Sequence, residues 1–415
     1  MQIIPYLHAI LFSYLSTITN HLLPHFSRSL NTSVSTDNLS SFIKSHRSLI
    51  QQHLTKETYT STQPTASQRL AWRTVVTSLL NMAVNDNQDC SSNRNAIPDA
   101  LKGIYTITQV DNGHFCALVE AGTVLREGRR EYAKGWGIFV VPAQGQSDER
   151  GQQIHLSAPH PVFDLYTAEE ATHVFGRTGA KSLFVPGRSR RAFDQETECI
   201  VSTGRTKYWK TDTAHDKGEM MFETYKAIID WQNDSSGGGG ASCAYIQFHG
   251  KTKETCRREQ VFLSAGLGRD AASLSWYTDP AHAHFPIHLL STHLQSCFPS
   301  LNVTTPASPT SSCSLTATKN VVGRLINGVS EDRVCMDSAT IESATGLFVH
   351  IEQDVELRKS ASWDMWVEVL LDVFRGNSTR EVTATARINE EPVNTPLFLP
   401  EPPHAASTLS LPAPS

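Results

Sequence analysis

The run Ile154-His-Leu-Ser-Ala-Pro-His160-Pro-Val-Phe-Asp164 decides how the chain is read. Residues 154–158 form a short, largely apolar stretch of strand length. Pro159 stops it, because proline has no N–H to give to a β-ladder. A histidine and, four residues on, a carboxylate follow the stop. Beyond them residues 168–175 show helical spacing, and 182–186 form another strand-like run. Strand, polar loop, helix and strand make the repeating unit of an α/β fold.

Working outward, residues 66–84 place Leu70, Val75, Val76, Leu79, Leu80 and Ala83 at helical spacing. Strands are expected at 103–109, at 115–120 after the turn signal Asp111-Asn112-Gly113, and at 137–142, 243–248 and 347–352. Helices are expected at 219–231 and 363–374. The predicted fold is therefore α/β: a single domain over residues 66–388, with a mixed, largely parallel sheet flanked by helices. An N-terminal polar arm (28–65) precedes it, and a disordered, proline-rich tail (389–415) follows. Residues 235–240 (SSGGGG) read as a solvent loop.

Composition narrows the function. The chain has 415 residues, 36 Lys plus Arg and 41 Asp plus Glu, for a formal charge of −5. That balance disfavours nucleic acid as a partner, since such proteins carry a basic stripe. Charged residues make up only 19%, against about 25% in ordinary globular domains, and this points to export. Residues 1–27 contain no Lys, Arg, Asp or Glu, and 3–15 have the length of a signal-peptide core. An ordinary N-terminal helix is the other reading of that stretch. No other segment is apolar enough to span a membrane. Eight cysteines without a CxxC pair fit either disulfides in an exported protein or buried thiols in a cytosolic one. The Ser/Thr/Pro-rich stretch 301–315 reads as a surface excursion, and a Cys297–Cys313 bridge would close it. Sequons stand at Asn31, Asn38, Asn233, Asn302 and Asn377, as in a secreted glycoprotein.

The chain has no GxSxG elbow, phosphate-binding GxxxxGK[ST] loop, GxGxxG or HExxH. Instead, polar residues stand at the downstream ends of four predicted strands, where open α/β sheets bind their ligands. They are His160 with Asp164, the cationic loop holding Arg188, Arg190 and Arg191, His249 before Gly250, and His350 with Glu352. Two imidazoles and a carboxylate leave one zinc position open for water, and a second carboxylate nearby could take the water's proton. Asp212 and His215 lead into a predicted helix, where Asp212 serves either as a helix cap or beside a functional His215. His282, His284, His288 and His293 are spaced irregularly and read as a partly exposed lid. Trp363 and Trp366 read as core.

The segments SAPHPVFD, QFHG and FVHIEQDVELR resemble secreted metal-dependent amidohydrolases related to N-formylglutamate amidohydrolase and poly-γ-glutamate hydrolase, in the wider zinc-carboxypeptidase-like group. The resemblance covers roughly residues 100–375. It implies Zn²⁺ held by His160, Asp164 and His249, with Glu352 as general base. It also implies a substrate carboxylate gripped from the 188–191 loop, by Arg188, Arg190 or Arg191; His215, read from its own place before the helix and not from the resemblance, is a candidate substrate contact. The first pair here is H-x3-D, whereas the related enzymes have H-x2-E or H-x4-E, so Glu169 and Glu170 compete with Asp164. The expected function is cleavage of an amide bond in a small-molecule or peptide substrate. The alternative is a secreted, glycosylated, non-catalytic binding protein that keeps a hydrolase fold. Oligomeric state is not encoded in any of these features.

Overall fold

The computed structural model describes residues 38–82, 90–143, 153–204, 206–234 and 243–375. The signal-peptide stretch 1–27, residues 28–37, the sequons at Asn31 and Asn377, the SSGGGG run and residues 376–415, which include the proline-rich tail, lie outside the described residues.

The chain opens with α1 (Leu39–Leu49), α2 (Lys56–Thr62), α3 (Ala66–Met82) and α4 (Cys90–Asn95). Strands β1 (Tyr105–Val110), β2 (Phe115–Glu120), β3 (Thr123–Arg126), β4 (Arg129–Tyr132), β5 (Ile138–Pro142) and β6 (Ile154–Ser157) follow. Then come α5 (Thr167–Thr178), β7 (Ser182–Val185), α6 (Met220–Asn233), β8 (Ala244–Gly250) and β9 (Val261–Ser264). The last elements are α7 (Ala271–Thr278), α8 (Pro286–Cys297), β10 (Val303–Thr304), α9 (Val321–Ile326), β11 (Phe348–Gln353) and α10 (Trp363–Arg375).

Nine strands form one mixed sheet in the order β1-β2-β5-β7-β6-β8-β11-β9-β10, and β3 and β4 form a separate hairpin. The four central strands β7, β6, β8 and β11 run parallel, so their carboxyl ends share one edge. Alternation along the strands feeds two cores. Leu183 and Val185 face a layer containing α1, α5, α8 and α10, while Phe184 faces one containing α3, α6 and α9. Both sheet faces are therefore covered, as parallel strands require. Register then fixes the neighbours at the carboxyl edge: Glu352 lies beside His249, and Gln247 lies beside both Ser157 and His350.

The reading of 28–65 as a loose arm does not hold for the described residues from 38 onward. Asn38 caps α1 by accepting from the Ser41 amide at 2.7 Å. Leu39, Phe42 and Ile43 bury at helical spacing into the main core. Ser and Thr between these positions mask the amphipathic pattern. Leu70, expected on the buried face of α3, is 59% exposed. Cys313 bonds to Cys256 rather than Cys297, and Cys90–Cys116 and Cys199–Cys335 complete three disulfides. Arg269 donates to the carbonyls of Ser311 and Cys313, so part of the 301–315 stretch is pinned to the body. Among the described residues no helix is long and apolar enough to cross a membrane.

Candidate metal centre and cavity

β6 ends at Ser157 and the chain leaves the sheet at its carboxyl edge. The Asp164 amide donates to the His160 carbonyl at 2.8 Å. This closes one helix-like turn, which sets residues i and i+4 on the same side. The H-x3-D spacing thus suffices to pair the two side chains. His249 reaches the same point from β8. His160 Nδ1, Asp164 Oδ2 and His249 Nδ1 stand 3.2 Å from one another, and all three side chains are buried.

With both imidazoles neutral, hydrogen bonds alone do not satisfy this triangle. His160 Nε2 faces Asp212 Oδ1 at 2.9 Å, and an ionised carboxylate only accepts, so Nε2 carries the proton. His249 Nε2 faces Gln247 Oε1 at 3.3 Å, an oxygen that also accepts from Asn320 Nδ2 at 2.7 Å. Neutral rings so oriented turn two Nδ1 lone pairs toward a carboxylate oxygen. Tetrahedral ligands ~2.0 Å from a cation lie ~3.3 Å apart, so the triangle fits one face of a zinc tetrahedron. Carboxylate and carboxamide partners on the outer nitrogens are the usual way metal-binding imidazoles are oriented.

The electrostatics set an ionised carboxylate beside two buried imidazoles. Burial raises the Asp164 carboxyl, but His160 and His249 outweigh it and hold the group well below the usual carboxylate range. Burial and Arg190 lower the His160 imidazole, yet Asp212 and Asp164 leave it net raised. Burial pulls His249 down to about 4, keeping its lone pair free.

A cavity of about 310 Å³ opens on the triangle. Glu352 lines it, next to His249 on the adjacent strand. Burial, with the nearby Asp164 charge, pushes Glu352 up to about 8. Among the described residues its Oε2 has no hydrogen-bond partner, and neither does Nδ1 of His350, which shares the wall. Arg190, Tyr208, His215, Lys319 and Asn320 line the cavity as well. Lys319 donates to Thr203 at 2.9 Å and lies over the Tyr208 ring.

The three arginines of the 188–191 loop part company. Arg190 reaches the cavity and bonds Asp212 Oδ2 at 2.6 Å. Arg188, expected as a substrate contact, is buried away from the cavity and bonds Gln51, Glu219, Thr62 and the Lys134 carbonyl. Arg191 is also not in the cavity wall: it pairs with Asp194 at the surface and lies over the Trp209 ring. Neither lines the cavity. His215 does line the cavity, with its ring centroid 4.3 Å from that of Tyr208.

The competing carboxylates are engaged elsewhere, Glu169 with Arg47 and Glu170 with Gln353. Asp212 does not cap α6, whose N-cap is Glu219. It receives His160 and Arg190 instead. Gly250 gives room to the Arg358 guanidinium, which a Cβ there would strike. None of His282, His284, His288 and His293 lines the cavity, so that stretch is no lid over it. The orienting residues Gln247 and Asn320 were not singled out from sequence. Gln247 carries a usable signal, since it stands two residues before His249 and hence on the same strand face.

No protein-family model matches the chain, and no curated protein matches it in sequence. Among solved structures, a Zn-dependent exopeptidase from Parabacteroides distasonis aligns over 83% of this chain and 99% of that one, with 8% identity and a TM-score of 0.22. At that score the likeness carries no argument. The functional reading rests on the geometry of the cavity and its three converging donors.

Proposed function

We propose that the protein is a zinc-dependent hydrolase that cleaves an amide bond in a substrate bearing a free carboxylate. The carrying observation is the buried 3.2 Å triangle of His160 Nδ1, Asp164 Oδ2 and His249 Nδ1 at the floor of an open cavity. A zinc ion held there supplies Lewis acidity toward the scissile carbonyl and a nucleophilic water near neutral pH. The charge of that ion would draw the Glu352 carboxyl back to its ionised form, in which it is the general base: it takes the proton of the attacking water and passes it to the leaving nitrogen, which departs as an amine. Asp212 and Gln247 hold the two imidazoles in the tautomer that presents Nδ1. Arg190, fixed by Asp212, offers its planar fork to the substrate carboxylate, and His215 lies close enough to assist.

The motifs that resemble those of zinc amidohydrolases agree with this reading, and peptide, γ-glutamyl and N-acyl amino-acid amides are the substrates to test first. Three disulfides favour an oxidising compartment, so we place the protein outside the cell. The sequon asparagines Asn38, Asn233 and Asn302 are exposed, which suits a glycoprotein. The test is amine release from a panel of such amides by the zinc-loaded protein. Glu352→Gln should keep the metal and lose about 10²–10⁴-fold in turnover. Full zinc occupancy with no turnover on any amide would leave the non-catalytic binding protein as the better reading.

A further inference from the structure

The thiol of Cys297 lies far from this chemistry in role. Six of the eight cysteines are paired in disulfides; Cys243 is buried and Cys297 is half-buried. His293 and Cys297 stand one turn apart on α8, and Asp372 comes from α10, which packs against α8. Their nitrogen, sulfur and oxygen donors lie within 4.8 Å of one another, and all three residues are half-buried. Leu290 and Leu294 on α8, and Val369 and Leu370 on α10, are buried beside them. The triad therefore sits at the rim of the seam between the two helices.

We propose that His293, Cys297 and Asp372 bind a second divalent ion, of the thiolate-preferring class to which zinc belongs. The donor set is mixed nitrogen, sulfur and oxygen, which selects such ions over magnesium or calcium. Three protein ligands leave the fourth tetrahedral position to water. Closing from 4.8 Å to the separation a bound ion demands takes side-chain rotation at these three half-buried residues. Cys297 is the last residue of α8, where the helix dipole favours a cation. On binding, the thiol gives its proton to solvent and the sulfur–metal bond forms, so no oxidant or reductant is required. The ion ties α8 to α10. The Trp366 indole of α10 in turn donates to Gln353 at the end of β11, next to Glu352.

This site is independent of the cavity and is tested by adding Co²⁺ to the metal-stripped full chain. The expected result is a near-ultraviolet sulfur-to-cobalt charge-transfer band, which the nitrogen and oxygen donors of the cavity do not produce. Cys297→Ser should abolish the band and lower the bound metal by one ion per chain. His249→Ala should keep the band. Zinc should also slow alkylation of Cys297 in His249→Ala protein, and His293→Ala should remove that protection. A missing band, a band that survives Cys297→Ser, or alkylation equally fast with and without zinc would overturn the proposal.

Discussion

Arg188 and Arg190 stand two residues apart on one loop and serve opposite ends. Arg188 is buried with every guanidinium nitrogen engaged: Nε to Gln51, Nη1 to Glu219, and Nη2 to Thr62 and the Lys134 carbonyl. This network joins the segment around α1 and α2 to the carboxyl edge of the sheet. Arg190 bonds Asp212 and otherwise faces a cavity whose walls hold unpartnered atoms, among them Glu352 Oε2 and His350 Nδ1. Buried polar groups are normally all paired, because an unpaired one costs ~1–3 kcal/mol. A saturated cluster is architecture, whereas orphans that face an open cavity are accessible to a ligand. The loop turns one arginine to each.

The comparison breaks most visibly at Arg188. Arg188→Met should lower unfolding stability by about 3–5 kcal/mol, because it leaves Glu219 buried without its partner. Urea titration measures this, and adding Glu219→Gln should recover part of the loss. A stability change within ~0.5 kcal/mol, the scale of a surface substitution, would dissolve the distinction.

A second contrast lies behind the sheet edge at Glu170. Burial pushes its carboxyl up to about 8, only partly opposed by Gln353, Arg358 and Trp366. A folded-state value above the unfolded one means that the folded chain holds the proton more tightly. The resulting stabilisation is complete below the unfolded value and is lost as pH rises through the folded one. Glu170→Gln should therefore match the parent protein near pH 4 and exceed it by a few kcal/mol above pH 8. Parallel denaturation midpoints across that range would refute the assignment.

The smallest effect sharpens the cavity side. Asp212→Asn keeps an acceptor for His160 but removes the charge, and should weaken zinc binding by about 10–100-fold. Its stability loss should be smaller than that of Arg188→Met. Competition with a chelator of known affinity measures the first quantity and urea the second. Unchanged zinc affinity would remove Asp212 from its orienting role.

Much of this was legible along the chain because parallel strands end at one edge. Strand runs that stop at a proline or run into a His-Gly pair named the strand ends that hold His160 and His249, and alternation put His350 and Glu352 on one face. Which arginine turned inward was not legible, since Arg188 and Arg190 differ only in partners brought by residues 51, 62, 134, 212 and 219. Short elements escaped for a related reason. Val261–Ser264 is a four-residue apolar run without alternation, and only pairing with β11 and β10 makes it a strand. The β3–β4 hairpin turns at Glu127-Gly128, both at positive φ, a signal too local to stand out. Disulfide partners depend on the same long-range placement.

The most direct test of the central claim is anomalous diffraction at the zinc edge from crystals of the zinc-loaded protein. The account predicts a peak about 2.0–2.2 Å from His160 Nδ1, Asp164 Oδ2 and His249 Nδ1 together, absent in His249→Ala crystals. A zinc-saturated crystal with no peak inside that triangle would contradict it.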